Sequence, residues 1–327
     1  MKRLIKINFV DFWDGFDSSN NDFINELRKT FDVELSHQPD YIFFSCFGYE
    51  HLKYKCIRIF YTGEAYTPNF NECDYAIGFD RMTFGDRYLR IPLYQLFQYK
   101  KEYNQLKSRR IVTNIDLSHK TDFCSFVYSN CFAHDIRTKF FKLLSSYKRV
   151  NSGGRYLNNI GAPVSDKKEF QSRHKFAIAF ENCSYDGYCT EKLMEAFAAG
   201  CIPIYHGDPR VTEDFNPDSF INVHEYSSID DVVNRVKEID ADDALYLKIR
   251  NAAPLHKYTS SSALADFLAH IFNQKYDLAF RRPFAIHPTA REEAQLRHVF
   301  FESKIYTYIK KIKNFLFRLR TGTIIKN

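Results

Sequence analysis

The stretch from Lys175 to Pro209, KFAIAFENCSYDGYCTEKLMEAFAAGCIPIYHGDP, constrains the fold more than any other part of the chain. Phe176 to Phe180 is a short apolar, aromatic run of the kind that forms a strand buried on both faces, and the polar segment Glu181 to Cys189, with Gly187 inside it, reads as a loop. A helix is predicted next. Thr190 supplies an N-cap hydroxyl, Glu191 falls in the first turn where the macrodipole favours a carboxylate, and Leu193, Ala196 and Phe197 make an apolar stripe. Gly200 ends the helix and Cys201 to Tyr205 makes a second buried strand. The unit is therefore βαβ. A right-handed crossover puts its strand-to-helix loop at the carboxyl edge of a parallel sheet, where ligands bind in such sheets.

A helix N-terminus offers free N–H groups and partial positive charge to an anion, and Lys192 adds a full charge in the first turn, so a diphosphate fits there. Asn182 and Glu191 can accept hydrogen bonds from ribose or sugar hydroxyls, and Tyr188 offers a ring to pack against a nucleotide. Taken singly, Glu191 and Lys192 read equally well as a capping carboxylate and a solvated cation; their placement together points to a ligand.

Upstream, Leu4 to Val10 reads as a strand, Asn20 to Phe31 as a helix with Phe23, Leu27 and Phe31 on one face, and Tyr41–Phe47, Cys56–Tyr61, Asp74–Phe79 and Arg87–Tyr94 as short strands of a small α/β sheet. Glu64 follows one of these strands directly, beside Gly63 and ahead of Pro68, where a carboxylate can face a cleft; it is the candidate general base, the alternative being a solvated loop charge. Gln98 to Arg110 is basic and weakly patterned and reads as a linker or surface excursion. Asp122–Tyr128 is expected to be a strand and Ala133–Tyr147 a helix, near whose start Arg137 sits; its guanidinium can clamp a phosphate bidentately, unless it is simply a surface arginine. After a short helix and the central unit come a strand at Ser219–Val223 and helices at Ile229–Ile239 and Ser262–Phe272. The DxD triplet Asp240-Ala241-Asp242 lies between helices, where aspartates cap, and is not read as a metal site.

The last stretch differs in kind. From Ser303 to Arg320, Ile305, Tyr308, Ile309, Ile312, Leu316 and Leu319 recur at helical spacing while Lys304, Lys310, Lys311, Arg318 and Arg320 fall opposite, a basic amphipathic helix that suits either an anionic membrane surface or docking on protein.

At 327 residues the chain has room for two domains, and its 32 Phe and 22 Tyr suit thick cores and carbohydrate-stacking surfaces alike. A net charge of +6, dispersed along the chain, is too weak for a nucleic-acid footprint. Eight cysteines without a CxxC pair or histidine clustering read as reduced core thiols, Cys183 and Cys189 being the one pair that could bridge. The N-terminal apolar run is too short and too charged for a secretory signal, so a cytoplasmic location is expected, peripheral on the inner membrane's cytoplasmic face if the tail binds lipid.

The order Phe180-Glu181-Asn182, Tyr188-Cys189-Thr190-Glu191-Lys192, Ile202-Pro203-Ile204-Tyr205-His206-Gly207 and Asp214-Phe215-Asn216-Pro217-Asp218-Ser219-Phe220 resembles the donor motif of the α1,3-fucosyltransferases, with His206 where tryptophan is usual. RIFYTGEAYTPNFNECDYAIGFD resembles the acceptor-domain signature of the bacterial members. The resemblance implies a GT-B fold, two Rossmann-like domains facing across a cleft: an acceptor-binding α/β domain at 1–115, a GDP-fucose-binding α/β domain at 116–290, and the tail at 291–327. It implies inverting transfer of L-fucose from GDP-fucose to the 3-hydroxyl of N-acetylglucosamine in a Lewis-type or lipopolysaccharide glycan. Glu64 matches the family's general base and Arg137, Asn182, Tyr188, Glu191 and Lys192 its donor contacts. No metal is required on this view, though a divalent ion could stimulate product release. The rival expectations are a GT-B enzyme using another nucleotide sugar and a non-catalytic carbohydrate- or membrane-binding protein. Replacing Lys192 or Arg137 is expected to leave the fold intact, since neither opens a core.

Overall fold

The computed structural model describes residues 2–96, 99–108, 110–131, 135–256, 262–283 and 288–321. They form two compact units, the first built from 1–98 and 259–313 and the second from 99–258 and 314–327.

The first unit opens with β1 (Leu4–Val10), α1 (Asp22–Thr30), β2 (Asp32–Leu35), β3 (Tyr41–Phe44), β4 (Ile57–Tyr61), β5 (Tyr75–Gly78) and β6 (Tyr88–Arg90). Helix α1 starts where Asn21 caps it, its side chain accepting from the amides of Phe23 and Ile24, and it buries Phe23, Ile24 and Leu27. The strands form one parallel sheet in the order β2-β1-β3-β4-β5-β6. Strand β3 is buried on both faces, which explains its unbroken apolar sequence. The short β2, exposed at the sheet's edge, has no such signature and escapes the sequence reading.

The second unit begins with α2 (Lys100–Lys107) and α3 (Asn114–Leu117), then runs β7 (Asp122–Phe126), α4 (Ile136–Tyr147), β8 (Val150–Ser152), α5 (Lys167–Ser172), β9 (His174–Phe180), α6 (Glu191–Ala198), β10 (Ile202–His206), β11 (Ile221–Asn222), α7 (Ile229–Ala241) and α8 (Asp243–Asn251). Its parallel sheet has the order β11-β10-β9-β7-β8. The expected βαβ unit is present; β9 and β10 share one core with Phe126, Phe140 and Val236, and α6 buries Leu193, Met194, Ala196 and Phe197. The basic segment expected as a linker is the helix α2, anchored by the buried Leu106; its many lysines are the solvated side of an amphipathic helix. Within the DxD triplet, Asp242 caps α8 through the Leu245 amide and Asp240 pairs with Lys148 and Lys175. All eight cysteines are free thiols, five of them buried.

The chain then returns to the first unit with α9 (Ser262–Asn273) and α10 (Tyr276–Ala279). Leu268, Ile271, Phe272 and Ala279 are part of the first sheet's core, with the Phe272 ring 4.3 Å from that of Tyr41. A division at 115/116 and 290/291 therefore assigns α9 away from the sheet it covers. Periodicity shows that a helix is amphipathic and is silent on which sheet receives its stripe. The tail follows as α11 (Pro288–Glu302) and α12 (Lys304–Thr321). On α12, Ile305, Tyr308, Ile312, Phe315, Leu316 and Leu319 are all exposed. Lys304 and Lys311 are exposed as well, while the side chains of Lys310, Arg318 and Arg320 lie outside the described set.

Phe272→Ala is expected to destabilise the first unit by about 3–5 kcal/mol, the usual cost of emptying a fully buried aromatic site. Denaturant unfolding of the variant, followed by the tyrosine and tryptophan signal, checks this; a change under about 1 kcal/mol refutes the account of α9 as core.

Candidate active site

In the second unit the chain lays β8 on one side of β7 and β9, β10 and β11 on the other, so the crevice at the carboxyl ends of β7 and β9 is the topological switch point. Tyr128, just past β7, reaches across it. Its hydroxyl donates to the Ile178 carbonyl (2.8 Å) and accepts from the Phe180 amide (2.7 Å), fixing the end of β9. Burial pushes this phenol up to about 12 despite the opposing Arg137. Arg137, from the first turn of α4, lies 4.0 Å over the Tyr128 ring and donates to the Phe180 carbonyl (3.0 Å) and Asn182 Oδ1 (3.1 Å). It is 2% exposed, so the surface-arginine alternative is overturned. The structure thus joins two expected donor residues, Arg137 and Asn182, through Asn182's own oxygen, and Arg137 Nε has no hydrogen-bond partner among the described residues. The passage of 153–154 beside this crevice requires glycine: a Cβ on Gly154 would stand 2.0 Å from the Tyr128 carbonyl oxygen.

Past β9 the organising group is Glu181, whose side chain is fully buried. Its carboxylate accepts from the Thr190 amide (2.8 Å), from the Thr190 hydroxyl and from Lys192 Nζ (2.9 Å). The Thr190 hydroxyl therefore does not cap α6 as expected; Thr190 is the N-cap residue, but its oxygen is turned to the stronger, charged acceptor. Lys192 also lies 3.2 Å from Glu191 Oε1. Burial alone would lower the Lys192 ammonium, but Glu181 and Glu191 outweigh it and hold it well above the ordinary lysine range. Burial likewise raises the Glu191 carboxyl, and Lys192 with Lys167 more than reverses this, leaving it below the ordinary range. Lys192 is thus a permanent cation at the amino end of α6, its side chain 15% exposed.

Tyr188 differs from expectation. Its residue is 2% exposed, so its ring is part of the interior and is not offered to a ligand; its carbonyl accepts from the Tyr205 hydroxyl (3.3 Å). Tyr205 in turn receives the Asp208 amide, and Asp208 Oδ1 accepts from the amides of Gly187 and Arg210, which folds the loop back on β10. Gly207 is obligatory here because a Cβ would stand 2.5 Å from both Glu181 Cγ and the Tyr205 hydroxyl. His206 stacks on His224 at 4.7 Å and packs against Phe180 at 5.4 Å, so the imidazole in the usual tryptophan position is held between aromatic rings.

In the first unit Glu64 stands at the carboxyl end of β4, exposed, with its amide donating to Thr62 Oγ1 (3.0 Å) and Thr62 Oγ1 3.2 Å from Cys46 Sγ at the end of β3. One strand away, at this sheet's own switch point between β1 and β3, Asp11 accepts from the His51 amide and ring Nδ1 (2.7 Å); His51 Nε2 lies 3.3 Å from Glu72, which pairs with Arg297 of α11. Sequence reading missed this chain, and Tyr128 and Glu181 as organisers, because each is a long-range pairing without a local signature. Among the described residues no group of three or more His, Cys, Asp or Glu side chains is placed to hold a metal.

Two Rossmann-like parallel-sheet units, one with a fixed cation and helix N-terminus beside its switch point, define a glycosyltransferase of the GT-B class. Residues 7–97 match the alpha-(1,3)-fucosyltransferase FucT N-terminal domain and residues 117–251 the glycosyltransferase family 10 (fucosyltransferase) C-terminal domain. The chain belongs to this fucosyltransferase family. It is 35% identical over 269 residues to the alpha-(1,3)-fucosyltransferase FucT of Helicobacter pylori, covering 74% of this chain and 54% of that protein, so it spans about half the relative's length. Human 4-galactosyl-N-acetylglucosaminide 3-alpha-L-fucosyltransferase FUT6 is 32% identical over 136 residues, 41% of this chain and 37% of that one. The crystal structure of an alpha1,3-fucosyltransferase with GDP-fucose superposes with a TM-score of 0.71 at 30% identity, over 84% of this chain and 93% of that one.

The structure revises the expectation that Lys192 can be removed without harm to the fold. Lys192→Met leaves the buried Glu181 carboxylate uncompensated and should cost about 3–5 kcal/mol, whereas the paired change Glu181→Gln with Lys192→Met should recover a large part of it. Chemical denaturation of the two variants and the parent decides the matter; equal stability of the single and double variants would contradict the pairing.

Proposed function

We propose that this protein is an inverting α1,3-fucosyltransferase that moves L-fucose from GDP-β-L-fucose to the 3-hydroxyl of N-acetylglucosamine in a Lewis-type or lipopolysaccharide glycan. The observation that carries the reading is the Glu181-anchored Lys192 ammonium at the amino end of α6, at the ligand-binding edge of a parallel sheet. The relatives' names, which specify fucose and a 3-linkage, supply the sugar and the acceptor position.

Inversion needs one displacement. Glu64 takes the proton of the acceptor 3-hydroxyl as its oxygen bonds to the fucose anomeric carbon, and the bond from that carbon to the β-phosphate oxygen breaks with its electron pair going to GDP. Lys192 and the α6 amides meet the charge that grows on the diphosphate, a preorganised contribution of about 2.7–4 kcal/mol per donor in comparable sites. Arg137 and Asn182 frame the end of β9 for the donor, and Glu191 is placed to accept from a donor hydroxyl. No resident metal is part of this scheme, and a divalent ion would act on GDP release. Incubation with labelled GDP-fucose and a panel of disaccharides, with and without chelator, tests the reading; transfer from another nucleotide sugar in preference to GDP-fucose would replace it.

Glu64→Gln should keep GDP-fucose binding and lower transfer on the order of 10²- to 10⁴-fold, the range of general-base catalysis. Glu181 is unsuited to the role because its oxygens are committed to Thr190 and Lys192. Transfer within a few-fold of the parent with an unaltered pH profile would remove Glu64 from the role.

We also propose that α12 lies on an anionic membrane, the lipid-linked acceptor being met at the cytoplasmic face. The support is its exposed apolar side chains together with the absence of acidic residues from 303 to 321. No helix among the described residues is long and apolar enough to cross a membrane. Removing residues from Ser303 onward should leave transfer to a small soluble acceptor nearly unchanged and reduce co-sedimentation with anionic vesicles in a salt-dependent manner. Equal sedimentation of both forms refutes the anchor.

A further inference from the structure

At the opposite, amino edge of the second sheet, where α6 ends, a cavity of about 320 Å³ is lined by Arg110, Asp116, His119, Lys120, Gly200 and Arg250 among others. This volume is at the lower end of small-molecule sites. Part of its charge has a structural explanation: Lys120 Nζ donates to the carbonyls of Ser172 (2.7 Å) and Ala199 (3.3 Å), and Arg250 Nε to that of Gly200 (2.9 Å), which satisfies the end of α6. The remainder does not.

Arg250 is 8% exposed, and its Nε bond to Gly200 is its one hydrogen bond among the described residues. Among the described residues it has no carboxylate partner, and its buried Nη1 has no acceptor. Its Nη2 and the Lys120 ammonium converge on Gly200, lying 3.2 and 3.4 Å from where a Cβ would stand. Burial lowers the Arg250 pKa, the mark of a guanidinium that lacks compensation. Buried cations are ordinarily paired, because leaving one unpaired is costly. Among the described residues that line the cavity the carboxylate is that of Asp116, and it is already bound to Arg110 and the Thr113 amide, so it is not free for Arg250. The helix end supplies about half a negative charge, which leaves the Arg250 guanidinium short of a full anionic partner.

We infer that this cavity is a second anion site that binds a phosphate group, free or as the ester of a small molecule, between Arg250, Lys120 and Arg110. Arginine's planar fork suits phosphate oxygens, and the exposed Arg110 can turn from Asp116 to close over the ligand. The site is separate from the donor reading and does not depend on it, since it lies at the carboxyl end of α6 and Lys192 at the amino end.

Calorimetric titration of the full chain with inorganic phosphate and, in a second arm, with glucose 1-phosphate, each against chloride at matched ionic strength, tests the inference. Saturable binding is expected, weakened about tenfold or more in Arg250→Met and in Arg110→Gln, as for loss of a hydrogen bond to a charged group. The tighter of the two arms shows whether the free ion or the ester is preferred. Arg110 is largely exposed, so its variant keeps the test valid if Arg250→Met proves unstable by circular dichroism. No saturable binding beyond chloride, or unchanged affinity in Arg110→Gln, overturns the proposal.

Discussion

The Glu181 carboxylate, buried and shared between Thr190 and Lys192, is the interaction on which the second unit's site depends. A lysine near a helix start would ordinarily swing in water, with entropy and screening working against any fixed geometry. Here the ammonium is held by a carboxylate that water cannot reach, so its charge is placed before any ligand arrives, and no reorganisation is needed when charge develops nearby. The same carboxylate fixes the loop that ends in Thr190 and packs beside Gly207, so loop, helix start and the β10 turn answer to one buried group.

A second framework stands behind it. Tyr128 closes the end of β9 with both faces of its hydroxyl, and Arg137 covers that ring while gripping the Phe180 carbonyl and Asn182. Side chains from just past β7 and from α4 thus hold the backbone at the end of β9 where the two strands diverge. The crevice is open because the strands part there, and it is rigid because a phenol and a guanidinium bridge the gap.

Much of this was legible in the sequence where local pattern and function coincide. The apolar runs of β3, β9 and β10, the stripe of α6 and the ordered motif from Phe180 to Phe220 gave the sheets, the helix and the family. Arg137 and Lys192 were visible as candidates, but their burial was not, because a charged residue in a sequence carries no mark of the distant carboxylate or carbonyl that will hold it. Tyr188 misled for the converse reason: an aromatic residue in a loop looks available for stacking until the fold closes over it. Glu64 is a candidate by position and motif alone, an exposed residue whose amide donates to Thr62 Oγ1. The boundary between units was the least legible feature, since nothing in the stripe of α9 tells which core it completes.

That return of the chain has a consequence for how the protein is made. The first sheet emerges early in synthesis but lacks the helix that covers Tyr41 and Phe43 until residues 99–258, with the second sheet, have been produced. At ribosomal speeds of about 5–20 residues per second, roughly 10 to 35 seconds pass with that aromatic face uncovered. The 99–258 stretch of the second unit, which holds its whole sheet, can settle first, so the nascent chain matures from its middle outward. A chaperone arriving during that interval would find its binding surface on the amino-terminal sheet.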